Sequence, residues 1–130
     1  MTKIELNLFN ESGCKINLSK LKADLIKILS LNLPPDLRQK LNKLDIALIL
    51  SGSNRLRALN KKYAGKDKTT DVLSFVWQKG KGDIFINLDL ANQMIIKRLF
   101  VHGLLHILGF DHQTVLAEKT MISLEERILK

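Results

Sequence analysis

One cysteine, Cys14, among 130 residues rules out an internal disulfide framework, so the fold must rest on a packed core. That scarcity points to a reducing compartment, and a cytoplasmic location is expected. No apolar stretch reaches the ~18–20 uncharged residues that a bilayer span needs, so no membrane partner is expected. The N-terminus, Met1-Thr2-Lys3-Ile4-Glu5-Leu6, alternates polar with apolar residues and has no apolar h-region, so no signal peptide is expected. Only two prolines occur, and they are adjacent, Pro34 and Pro35; they divide the chain at one place and nowhere else. The glycines fit no phosphate-binding loop, Gly80 and Gly82 included. Repeats, linkers and low-complexity segments are absent, and the length suits a single domain over residues 1–130.

Acidic residues are also in short supply. Lys and Arg number 21 against 13 Asp and Glu, a formal charge of +8. Such a balance favours polyanions: nucleic acid or ribosomal RNA first, acidic membrane surfaces second. The excess is local. Between Arg55 and Lys68 stand Arg55, Arg57, Lys61, Lys62, Lys66 and Lys68 against one acid, Asp67. These six are the candidate RNA-binding residues. Placed near the helix described next, they would line one wall of a cleft and bind phosphates without reading sequence. Tyr63 and Trp77 could stack on an unpaired base or pack in the core, and Thr70 and Ser74 are nearby hydroxyls.

Periodicity yields an α+β reading, with a small mixed sheet of about four strands packed against several helices. Strands are expected over Lys3–Phe9, Asp45–Leu50, Val72–Val76 and Asp83–Asn87, the last two joined as a hairpin by Lys79–Gly82. Ser19 would cap a helix with Leu21, Leu25, Ile28 and Leu29 on one side; a short helix fits Asp36–Leu44. Asn54–Tyr63 is helical with Leu56 and Leu59 inward, and Gly65 stops it. From about Asp89, the residues Ala91, Met94, Ile95, Leu99, His102 and His106 recur at helical spacing up to Gly109. Beyond Lys97-Arg98 this helix has no wet face, which predicts that it is central and buried. A last helix, Thr114–Leu129, offers Met121, Ile122 and Ile128 to the core.

All three histidines of the chain fall between positions 102 and 112. His102 and His106 are four apart on a helix, so their rings share a face one turn apart. Gly109 can adopt positive φ and return the chain so that His112 joins them. A lone histidine on an apolar helix is ordinarily a hydrogen-bonded core residue, but three at ligand spacing point to a divalent metal. Three imidazoles with a fourth vertex open to solvent suit a hydrolytic zinc, one Zn2+ per chain; nickel or another divalent ion also accepts imidazole. The spacing matches the metzincin pattern H-E-x-x-H-x-x-G-x-x-H except that Gly103 replaces the glutamate base. A zinc peptidase of metzincin-like spacing therefore lacks its proton acceptor. Asp111 is the remaining candidate for an acid/base group or for orienting His112, and equally a turn residue.

The stretch His102-Gly103-x-Leu105-His106-x-x-Gly109-x-Asp111-His112 resembles the signature of the YbeY family. So do Leu59-Asn60-x-x-Tyr63, Gly65-Lys66-Asp67, Thr70-Asp71-Val72-Leu73-Ser74-Phe75 and Gly82-Asp83-Ile84, with Met121 and Glu125 in the last helix. The resemblance spans about Asp45 to Leu129. It implies a bacterial metal-dependent endoribonuclease specific for single-stranded RNA. It implies 16S ribosomal RNA 3′-end processing, ribosome maturation and quality control, with ribosomal RNA, the small ribosomal subunit and ribosome-associated proteins as partners. It assigns the metal to His102, His106 and His112. Ala64 departs from the family, which usually has arginine there. A non-catalytic, zinc-braced ribosome-assembly factor is the alternative that Ala64 favours.

Overall fold

The structure is a computed structural model, and it describes residues 3–40, 42–110 and 113–129. The elements run β1 (Lys3–Asn10), α1 (Leu18–Asn32), α2 (Pro35–Lys40), β2 (Lys43–Ser51), α3 (Ser53–Ala64), β3 (Val72–Gln78), β4 (Lys81–Asn87), α4 (Gln93–Ile107) and α5 (Val115–Leu129). One mixed sheet has the order β1-β2-β4-β3. β1 and β4 both lie parallel to β2, and β3 returns antiparallel to β4 as the expected hairpin. This is the α+β fold that the mixture of periods implies.

Side chains alternate across a strand, so each strand presents one set of residues to each face. On β2, Leu44, Ile46, Leu48 and Leu50 point one way and are buried. The register places Leu6 beside Ile46, Ile84 beside Leu48 and Ile86 beside Leu50, which extends the same apolar face across three strands. This face carries the core: Leu21, Leu25 and Leu29 of α1, the apolar residues of α4, and Met121, Leu124 and Ile128 of α5 join it in one cluster. Phe100 is its largest fully buried side chain. Burial of such a ring contributes roughly 1.5–3 kcal/mol. The wholly apolar turns of α4 thus do lie at the centre.

α3 takes the opposite face. Its Leu56 and Leu59 are buried but stand apart from the main cluster. Its first turn is tied to the end of β4, where Asn87 Nδ2 donates to Ser53 Oγ at 2.9 Å. The same amide donates to Thr69 Oγ1 and to the Thr70 carbonyl, so one buried asparagine fixes the loop that follows α3. Gly65 ends α3 at φ 69°, as its position implies.

Several boundaries differ from expectation. Asn17, not Ser19, caps α1, accepting from the Lys20 amide at 3.0 Å; the two residue types cap about equally well, so only the fold could choose. α4 starts at Gln93 because Asn92 caps it, whereas Asp89 caps α3 from across the chain, accepting from the Ser53 amide at 2.8 Å. Pro35 opens α2, where a missing N–H costs nothing. Ile122 is 44% exposed, because the buried stripe of α5 runs through Met121, Leu124, Glu125 and Ile128 and leaves position 122 to one side. Met94 is 84% exposed on the first turn of α4, away from the stripe that begins at Ile96.

Candidate metal centre

The exposed flank of α4 opens beside β3. Its sheet-facing side is packed so closely that any side chain at position 103 would make its neighbours shift. A Cβ there would stand 2.8 Å from Ser74 Oγ and 3.0 Å from Ile84 Cγ2. The next positions around the helix, His102 and His106, escape that contact and keep partial exposure. Together with Val72, Ser74, Val76 and Phe110 they line an open cleft of about 490 Å³. Gly109 adopts φ 99°, and Phe110 N–H donates back to the Leu105 carbonyl at 2.9 Å, so the chain reverses where the motif implies.

The ring nitrogens show what this pair can do. His106 Nδ1 is 3.0 Å from the Phe110 carbonyl oxygen, which can only accept, so that nitrogen carries the proton. His102 Nδ1 is 2.6 Å from Glu125 Oε1 and donates to the carboxylate. With both Nδ1 protons committed, each neutral ring turns its acceptor nitrogen, Nε2, toward the other. The two Nε2 atoms are 3.2 Å apart. A proton shared between two ring nitrogens, or a cation bound by both, satisfies that approach. A tetrahedral zinc with ordinary Zn–N bonds separates its nitrogens by about 3.3 Å. The residues therefore fit a divalent metal, with Glu125 and the Phe110 carbonyl orienting the ligands as is usual around such ions.

His112 and Asp111 lie outside the described residues, so the third imidazole and the acid/base candidate have no described geometry. Among the described residues, no group of three His, Cys, Asp or Glu side chains could hold a metal ion.

The six basic residues are not brought to this cleft. Arg55, Arg57, Lys61 and Lys62 are on α3, across the sheet from α4, and Lys66 and Lys68 follow in the next loop. None is among the described residues that line the histidine cleft. The expectation that they form its wall is corrected by packing: α1, α4 and α5 fill the apolar face, and α3 has only the other one. Three of the six stand beside acids, Lys61 Nζ being 4.0 Å from Asp67 Oδ2. Arg57 Nε donates to Asp67 Oδ1 at 2.8 Å, a hydrogen bond that raises the guanidinium pKa, reinforced by the charge of Asp67. Arg55 Nε is 3.4 Å from Glu11 Oε1.

Glu125 is the residue whose role sequence reasoning missed. A signal existed: at the spacing of Met121, Leu124 and Ile128 it occupies the apolar stripe of α5. A carboxylate placed there needs a partner, because an unpaired buried charge is costly. Gly103 stands where the metzincin pattern has its glutamate base. The structure explains the absence, since no side chain can grow from that position without displacing Ser74 and Ile84.

Fold and site together define a small α+β protein with a metal-ready imidazole pair at the open edge of its sheet. The family model described as Endoribonuclease YbeY matches residues 7–130. An Endoribonuclease YbeY of Sulfurihydrogenibium sp. (strain YO3AOP1) is 38% identical over 68% of this chain and 70% of its own length. That of Desulforamulus reducens is 33% identical over 95% of this chain and 92% of its own. The solution structure of TM1509 from Thermotoga maritima superposes with a TM-score of 0.62 over 95% of this chain and 86% of that one; at 20% identity it speaks for the fold alone. The chain belongs to the YbeY family.

Proposed function

We propose that this chain is a metal-dependent endoribonuclease that cuts single-stranded RNA during ribosomal RNA maturation. Family membership carries the reaction class. The observation that carries the metal is the convergence of two ring nitrogens, Nε2 of His102 and of His106, 3.2 Å apart, with each ring oriented by a partner at Nδ1. His102 and His106 would hold the ion, with His112 as third ligand and zinc as the ion, since neutral imidazoles are its preferred nitrogen donors. When bound, a divalent ion supplies Lewis acidity toward a phosphodiester oxygen. The chain's own part is to orient and select. Glu125 and Phe110 keep both rings in the tautomer that binds metal. Ser74 lines the same cleft, and its hydroxyl is a candidate contact for a phosphate oxygen held there. Asp111 is the acid/base candidate that adjoins His112 in sequence. The 3′ end of 16S ribosomal RNA as target, association with the small ribosomal subunit and a cytoplasmic location belong to the same proposal.

Gly103 disfavours a peptidase, because the glutamate such an enzyme needs has no room. The test is elemental analysis of the purified chain together with cleavage of single-stranded RNA, with and without chelator. One zinc per chain and chelator-sensitive cleavage are expected, and His106→Ala should lose both. Cleavage that survives metal removal defeats the proposal. Zinc-loaded protein that binds RNA and leaves it intact establishes the non-catalytic assembly factor instead.

A further inference from the structure

The sheet has a second cleft, on the face that α3 shares with open solvent. It measures about 340 Å³, and its walls include Arg55, Tyr63, Phe75, Trp77, Asp83 and Phe85. The aromatic rings form a connected group: Tyr63 meets Phe75 edge-on at 5.1 Å between centroids, and Phe75 meets Phe85 at 5.7 Å. Core packing does not account for all of them. Tyr63 is 61% exposed and Trp77 67% exposed. Trp77 is also presented deliberately by the backbone. Val76 pairs with Gly82 and Gln78 with Lys81, so Trp77 is the extra residue of a bulge, a device that re-aims a side chain. Its indole N–H then donates to Asp83 Oδ2 at 3.2 Å, which holds the ring over the cleft.

The surroundings select a partner. α3 contains Arg55, Arg57, Lys61 and Lys62 and no acid, and Lys62 Nζ lies 5.2 Å from the Tyr63 ring centroid. On a chain of charge +8 this surface attracts a polyanion. Inside the cleft, however, Asp83 would repel a phosphate and accept from an amino group. The cleft therefore suits a base, with the phosphates left to the cations on α3. Every base offers a π face to an aromatic ring, and such stacking needs no particular sequence. The two clefts share one wall residue: Val76, on the edge strand β3, lines both this one and the histidine cleft.

We propose that the Tyr63–Trp77 cleft is a stacking subsite for an unpaired nucleobase of the RNA strand that reaches the histidines over the edge of β3. This rests on the endoribonuclease reading and adds a cause for single-strand preference, since a paired base is not free to enter.

Trp77 is the only tryptophan of the chain, so its fluorescence reports the cleft directly. Metal-loaded full-length protein is mixed by stopped flow with an oligoadenylate long enough to span both clefts, and with the same strand in duplex. Quenching by the single strand before cleavage, and none by the duplex, is expected. Trp77→Ala and Tyr63→Ala should each weaken binding and raise KM by about tenfold, a loss typical of one stacking ring. Trp77→Phe, which keeps a stacking ring, should restore most of the affinity, and the unfolding midpoint of Trp77→Ala should match that of the wild type, which a folding defect would not allow. Phe9→Ala, an exposed ring of β1 outside the cleft, should bind as wild type does. Wild-type protein that cleaves the long strand without quenching, or a Trp77→Ala variant of unchanged affinity, overturns the subsite and leaves the endoribonuclease reading intact. Quenching by a protein partner but not by RNA also overturns it. Failure of the wild type to bind or cleave any RNA defeats both readings at once.

Discussion

On one face of the sheet Leu6, Leu44, Ile46, Leu48, Leu50, Ile84 and Ile86 are sealed beneath three helices; on the other, Phe9, Tyr63 and Trp77 stand in solvent beside α3 alone. His102 and His106 belong to the first face and the basic helix to the second. Under the proposed function, the contrast separates two demands on a small sheet. Metal ligands must be held to a fraction of an ångström, which a close-packed core provides by fixing the helix that bears them. Contact with a flexible strand needs area and charge, which an open face provides.

Four predictions bear on that contrast. The largest effect should come from the packed face: Phe100→Ala should cost about 3–5 kcal/mol, while Phe9→Ala on the open face should stay within about 0.5 kcal/mol. Urea unfolding with unchanged slopes measures both, and similar losses would mean that the two faces are equally packed. Next, Glu125→Gln keeps the shape of the side chain but removes the charge behind His102. Metal affinity should fall about ten- to a hundredfold by competition with a chromophoric chelator; an unaltered affinity would reduce Glu125 to a core residue.

Gly103→Ala tests how tightly α4 sits on the sheet. The steric cost of about 1–3 kcal/mol is offset in part by the ~1 kcal/mol that alanine returns in a helix, so a net loss of up to about 2 kcal/mol is expected. Adding Ser74→Ala should recover part of it, since Ser74 Oγ is the nearest atom. A neutral or stabilising Gly103→Ala would show slack under the metal helix. The smallest effect belongs to Glu5 and Lys43, paired at 3.0 Å across β1 and β2. The Lys43 hydrogen bond, and then its charge, hold the Glu5 carboxyl below its ordinary pKa. A carboxylate depressed in the folded state adds stability above its unfolded pKa, and that stability disappears as pH falls through the folded value. Glu5→Gln should therefore flatten the acid limb of the stability curve slightly, and only at low salt, because the pair is exposed. Unfolding midpoints from about neutral pH to about pH 3 would reveal it; a steeper acid limb in the variant would contradict the sign.

Much of this was legible in the residues. The hairpin of β3 and β4, the stop at Gly65, the central burial of α4 and the turn at Gly109 follow from local rules of periodicity and backbone freedom. Cap choice was not legible, because Asn17 and Ser19 compete on nearly equal terms, and Asp89 serves a helix far away in sequence. The pairing of Glu125 with His102 joins positions 23 apart and became visible only once α5 lay against α4.

What the sequence determined by itself is the spacing of ligand types along one helix, because positions four apart on a helix share a face whatever surrounds them. Only the tertiary structure decided which side of the sheet each helix occupies, since an amphipathic helix carries an apolar stripe but no address. For that reason the basic residues of α3, adjacent in sequence to the strand that borders the histidines, stand on its opposite face.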